Sequence, residues 1–162
     1  MTPRAKALLL CLLLAPLPVL ADSARETGQP PSAAHAPNHE APPPAFDPDA
    51  GVDLLALYAQ ADPVAGEAYF IRRCQVCHSL DPNDNGVGPS LFDVVGMPVN
   101  FVQGYNYTGA LARLGPVWDV AALSRFLARP SEAAPGTSMA FFGTQERSDR
   151  LNVIRFLEER AR

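Results

Sequence analysis

Apolar positions fall into short clusters at helical spacing, separated by long stretches rich in Gly, Pro and Asn. Leu54, Leu55 and Tyr58 predict a short amphipathic helix starting near Val52. Asp62-Pro63 is a helix start, with a capping carboxylate followed by proline at the first helical position, and the helix is predicted to run to about Arg73. Thr108 to Leu114 predicts another helix, stopped by Gly115-Pro116. Asp119 predicts the cap of a helix carrying Leu123, Phe126 and Leu127, with Pro130 just beyond its end. Ser148 predicts the cap of a last helix whose apolar face is Leu151, Val153, Ile154, Phe156 and Leu157. Arg155, Arg160 and Arg162 suit its negative C-terminal end. With no alternating strand pattern and no internal repeat, the expected class is all-α with long loops.

The N-terminal third follows different rules. Arg4 and Lys6 precede an apolar run from Ala7 to Ala21 that is interrupted by Pro16 and Pro18. Val19-Leu20-Ala21 fits a signal-peptidase cut, so residues 1–21 are expected to be a signal peptide. The alternative is an uncleaved anchor, with residues 7–21 as a membrane tether. Residues 22–50 are rich in Pro, Ala and small polar side chains and are expected to form a mobile linker. His35 and His39 lie in it, and solvated tail histidines are the better reading than a metal pair. A single folded domain is expected over residues 51–162.

Composition narrows the function. The chain has 162 residues, 13 basic and 17 acidic side chains, and a net charge of −4. Clustered basic charge for nucleic acid is absent. Loss of residues 1–21 would take Arg4, Lys6 and Cys11 and leave a lysine-free chain whose remaining cysteines are Cys74 and Cys77. The full chain's three cysteines cannot all pair with one another, which speaks against a disulfide scaffold. A domain of about 100 residues with such long loops needs something large to fold around.

Cys74-Gln75-Val76-Cys77-His78 supplies it. C-x-x-C-H is the attachment signature of c-type haem. The two thiols share one side of a helical turn and form thioethers to the vinyl groups, and the adjacent His78 reaches the iron. A redox C-x-x-C would want a βαβ setting, and a zinc site two more ligands. For the sixth position the candidates are Met97, Met139, His35 and His39. Met139, in the loop Pro135-Gly-Thr-Ser-Met139, is favoured over Met97. Thioether ligation raises the potential and closes the site to substrates.

Over about residues 61–160 the chain resembles the class I c-type cytochromes of the mitochondrial and alphaproteobacterial kind. The likeness is carried by Gly66-Glu-Ala-Tyr-Phe70, Cys74-Gln-Val-Cys77-His78, Gly88-Pro89-Ser-Leu91, Tyr105-Asn-Tyr107-Thr108, Trp118 and Pro135-Gly-Thr-Ser-Met139. The Pro/Ala-rich leader and Asp62-Pro-Val-Ala-Gly-Glu67 look most like the membrane-tethered cytochrome c-y type. The resemblance implies the class I cytochrome c fold around one covalent haem c. It implies His78 and Met139 as iron ligands and the Pro89 carbonyl as acceptor for the His78 Nδ1–H. It further implies Tyr107, Trp118 and Thr137 as propionate contacts, and a crossing of Gly66 and Phe70 with the last helix at Val153 and Phe156. Two positions depart from the family pattern: Met97 stands where an arginine usually pairs with a propionate, and Phe126 where many members have a tyrosine. The usual lysine ring is also missing, which leaves Arg72, Arg73 and Arg147 as candidate local positive charge.

The implied function is a monomeric periplasmic electron carrier and not an enzyme. Its expected partners are a quinol–cytochrome c oxidoreductase as donor and a terminal oxidase, reductase or photosynthetic reaction centre as acceptor. The alternatives are a haem enzyme or sensor with an exchangeable sixth ligand, or a permanent haem subunit of a larger complex.

Overall fold

The computed structural model describes residues 46–160. The segment 1–21, His35 and His39 lie outside the described residues. Among these residues five α-helices run in the order α1 (Leu54–Tyr58), α2 (Pro63–Arg73), α3 (Val120–Ala128), α4 (Pro130–Ala133) and α5 (Arg147–Arg160). A 3-10 helix, Gly109–Leu114, precedes α3. The one pairing of extended backbone among the described residues is an isolated bridge between Pro98 and Val117.

Local chemistry sets the helix starts. The Asp62 carboxylate accepts from the amides of Val64 and Ala65, and Pro63 occupies the first turn of α2. Asp119 accepts from the Ala122 amide at 2.7 Å and starts α3. Asp53 does the same for α1 through Ala56. Three details differ from expectation. The Gly109–Leu114 segment is a 3-10 helix and its Thr108 makes no side-chain cap, as befits a run too short to nucleate an α-helix unaided. Pro130 does lie beyond α3, but it also opens α4, because proline suits a first helical turn. Helix α5 begins at Arg147, so Ser148 lies inside its first turn instead of capping it.

The core forms where α2, α3 and α5 meet. Gly66 lets α2 press against α5: a methyl group there would lie 2.0 Å from the Asn152 carbonyl oxygen and 2.9 Å from Phe156 Cβ. The crossing thus falls at Asn152 and Phe156, one residue from the expected Val153 contact. Phe70 packs on Phe156 with ring centroids 5.6 Å apart. Val153, Ile154 and Leu157 of α5 are buried with Leu123 and Phe126 of α3. Trp118 is buried against Phe126, with centroids 5.5 Å apart.

The folded part reaches further back than the expected linker boundary. Asp49, expected in the mobile linker, is 8% exposed. Its carboxylate is bonded to Arg147, Arg150 and Ser124. Phe46 packs against the core under the Arg129 guanidinium, 6.0 Å from ring centroid to charge. Low apolar content predicts disorder only where no partner waits, and here two arginines wait on α5. Among the described residues no helix is long and apolar enough to cross a membrane.

Candidate functional site

Cys74 ends α2, and the chain continues through a turn in which the Cys77 and His78 amides both bond the Cys74 carbonyl at 3.0 Å. That turn brings Cys74, Cys77 and His78 to the wall of one large cleft, which encloses about 1440 Å³ including its open mouth. The two sulfurs are not joined to each other. Burial pushes the Cys74 thiol up to about 11, against the pull of Arg73 and with a smaller push from Cys77.

His78 is oriented from behind. Its Nδ1 lies 2.8 Å from the Pro89 carbonyl oxygen. The carbonyl can only accept, so the proton sits on Nδ1 and the Nε2 lone pair is left for a metal. Burial holds the imidazole below its usual pKa, partly offset by the bond to Pro89, which favours the neutral, ligating form. Gly88 clears the space: a Cβ there would lie 2.2 Å from Cε1 of the ring. The 85–90 loop is in turn stapled by Asn85, whose amide accepts from the Ser90 N–H and donates to the Gln103 carbonyl, each at 3.0 Å. Tyr105 adds a bond from its hydroxyl to the Val87 carbonyl.

The same cleft is lined by Leu91, Phe101, Leu111, Trp118, Leu123 and Phe126, and by Pro89, Tyr107, Thr137 and Met139. All eight expected cofactor residues therefore reach one cavity. Met97 does not line it, and its backbone is spent on Val94 and Trp118. The Thr137 hydroxyl accepts from the Met139 amide, which shapes the loop bearing the thioether. Burial pushes the Tyr107 phenol up, more than its hydrogen bond to the Val102 backbone lowers it. Two cysteines, an imidazole with a committed Nδ1, a thioether and an apolar lining suit a haem, which is large, flat and apolar except at its propionate edge.

Sequence reasoning singled out Arg73 and missed the apolar part of the rim. Arg73 lines the cleft with its charge 5.9 Å over the Phe141 ring, and Val76 and Val87 stand exposed on the cleft edge. Val76, set inside an attachment motif whose cysteines and histidine turn to the cleft, was a usable signal. Arg147, expected as local positive charge, is instead ion-paired with Asp49 at 2.6 Å and is absent from the cleft.

No family model matches the chain. It is 42% identical over 103 residues to cytochrome c2 of Rhodomicrobium vannielii, covering 63% of this chain and 82% of that one. It is 36% identical over 110 residues to the cytochrome c-type cyt cy of Rhodobacter capsulatus, covering 68% of this chain and 55% of that one. Its structure matches cytochrome cH from Methylobacterium extorquens with a TM-score of 0.55 and 37% identity, over 61% of this chain and 99% of that one.

Proposed function

The chain belongs to the class I c-type cytochromes and carries one covalently bound haem c, and on that premise we propose that it is a periplasmic one-electron carrier with His78 and Met139 as the iron ligands. The observation that carries this reading is the convergence of Cys74, Cys77, His78 and Met139 on a single apolar cleft. The haem supplies reversible one-electron chemistry at its iron.

The residues of the chain do the rest. Cys74 and Cys77 hold the group by thioethers. Pro89 keeps the His78 ring in one orientation and tautomer, which raises its basicity as a ligand. Met139 would offer the iron a soft sulfur that favours the ferrous state. Leu91, Phe101 and Leu111 exclude water. Tyr107, Trp118 and Thr137 receive the propionates. With His78 and Met139 both committed to the iron, no place would be left for a substrate there, which supports a carrier over an enzyme. Residues 1–21 direct export of the chain as a signal peptide. The donor is a quinol–cytochrome c oxidoreductase and the acceptor a terminal oxidase, reductase or reaction centre.

A potentiometric titration of the purified protein tests this. It should follow a single one-electron curve, and the protein should be reduced and reoxidised by membranes containing those complexes. Steady turnover of peroxide or another small substrate, with no exchange of electrons with the membranes, would overturn it.

A further inference from the structure

The chain between α3 and α5 carries Met139 and is closed at a neck. The Thr144 amide bonds the Leu127 carbonyl at 2.9 Å, and the Gln145 side chain reaches the Ala128 carbonyl. Gly143 lies so close that a Cβ would sit 2.0 Å from the Ala128 oxygen. Arg150 grips this neck from α5, donating through Nη1 to the carbonyls of Thr144 at 3.1 Å and Gln145 at 2.8 Å.

Arg150 is 2% exposed, so its charge needs a buried counter-charge. Asp49 provides it at 2.8 Å through Oδ1, while Ser124 bonds both Asp49 Oδ2 and Arg150 Nε. Asp49 also holds Arg147, whose Nη2 donates to the Pro48 carbonyl. Phe46, three residues earlier, packs under Arg129 at the other side of the neck. A segment preceding the first helix therefore clamps both ends of the loop that carries Met139.

We propose that Asp49 is a positioning residue for Met139: acting through Arg150 and Arg147, it keeps the loop closed and the thioether seated in the cleft. This rests on the reading of Met139 as the sixth ligand. Without the carboxylate, the Arg150 guanidinium must find another partner, and the neck carbonyls compete poorly with water for it. The loop then spends more time open, and any external ligand that needs the sixth position gains apparent affinity in proportion to the open fraction.

The test uses the full ferric protein and free imidazole as the competing ligand. Asp49→Asn should bind imidazole about ten-fold more tightly than wild type and lose the far-red methionine-to-iron band at lower temperature. Tyr58→Phe, which removes a hydrogen bond from α1 to Glu158 away from the neck, should leave imidazole affinity unchanged. If Asp49→Asn does not fold, Ser124→Ala should still tighten imidazole binding about two- to three-fold. Unchanged affinity in the folded Asp49 or Ser124 variant, or an equal shift in Tyr58→Phe, overturns the proposal. A wild type with no far-red band overturns the Met139 reading itself, and the proposal with it.

Discussion

The Pro89 carbonyl oxygen stands 2.8 Å from Nδ1 of His78, with Gly88 leaving the room that the ring occupies. Both parts of that contact are needed. The carbonyl fixes the tautomer, and the missing side chain lets the loop approach. Gly88→Ala would drive a methyl group 2.2 Å from the ring. It should cost about 1–3 kcal/mol in stability, read by chemical denaturation, and alter the visible spectrum by tilting the ring. An unchanged spectrum with unchanged stability would mean that the loop relaxes freely.

Gly66 makes the comparable contact between helices. Alanine there would meet the Asn152 carbonyl at 2.0 Å, and backbone on both sides cannot yield as a side chain tip could. Gly66→Ala should destabilise the protein by about 2–3 kcal/mol or prevent accumulation of the folded form. A thermal midpoint equal to wild type would contradict the close crossing of α2 and α5.

Asp49 makes stability depend on pH in a definite direction. Burial pushes its carboxyl up, but bonds from Ser124 and Arg147 and the charge and bond of Arg150 outweigh it and hold the group below the usual carboxylate range. A lowered folded value means stability fully present above the unfolded value of about 4 and lost as pH falls through the folded one. Asp49→Asn should cost about 3–5 kcal/mol at neutral pH. The gap from wild type should narrow as the solution is acidified below about pH 4. The same gap at pH 7 and pH 3 would show that charge is not the reason.

Much of this was legible in the sequence because it is local. Asp62-Pro63 and Asp119 each carry their own capping chemistry, and α2 and α3 start where those residues put them. Cys74, Cys77 and His78 lie within one turn, so spacing alone brought them together. Met139 was separated from Met97 by its loop, and the cleft includes the first and not the second. The Asp49–Arg150 pair was hidden because its members lie 101 residues apart, and nothing in the composition around Asp49 marks it as buried. The 3-10 geometry of Gly109–Leu114 was likewise invisible, since apolar spacing does not separate it from one and a half α-turns.

Partner encounter should be only weakly steered. Without residues 1–21 the chain is lysine-free, and Arg147 is committed to Asp49, so Arg72 and Arg73 are left near the cleft. Val76 and Val87 share the cleft edge with Arg73 and are exposed. Stopped-flow reduction by an acidic redox partner should slow by less than about ten-fold between low and physiological salt, against the 10–10³ enhancement that full steering provides. A steeper fall would show that two arginines suffice.

The His78/Met139 reading stands or falls on a visible spectrum recorded with and without carbon monoxide, for wild type and Met139→Ala. Wild-type ferric protein should show a weak far-red methionine-to-iron band, and the ferrous form should not bind carbon monoxide. Met139→Ala should lose the band and bind the gas, while Met97→Ala should behave as wild type. Carbon monoxide binding by the wild type, or loss of the band in Met97→Ala and not in Met139→Ala, would contradict a closed haem held by His78 and Met139.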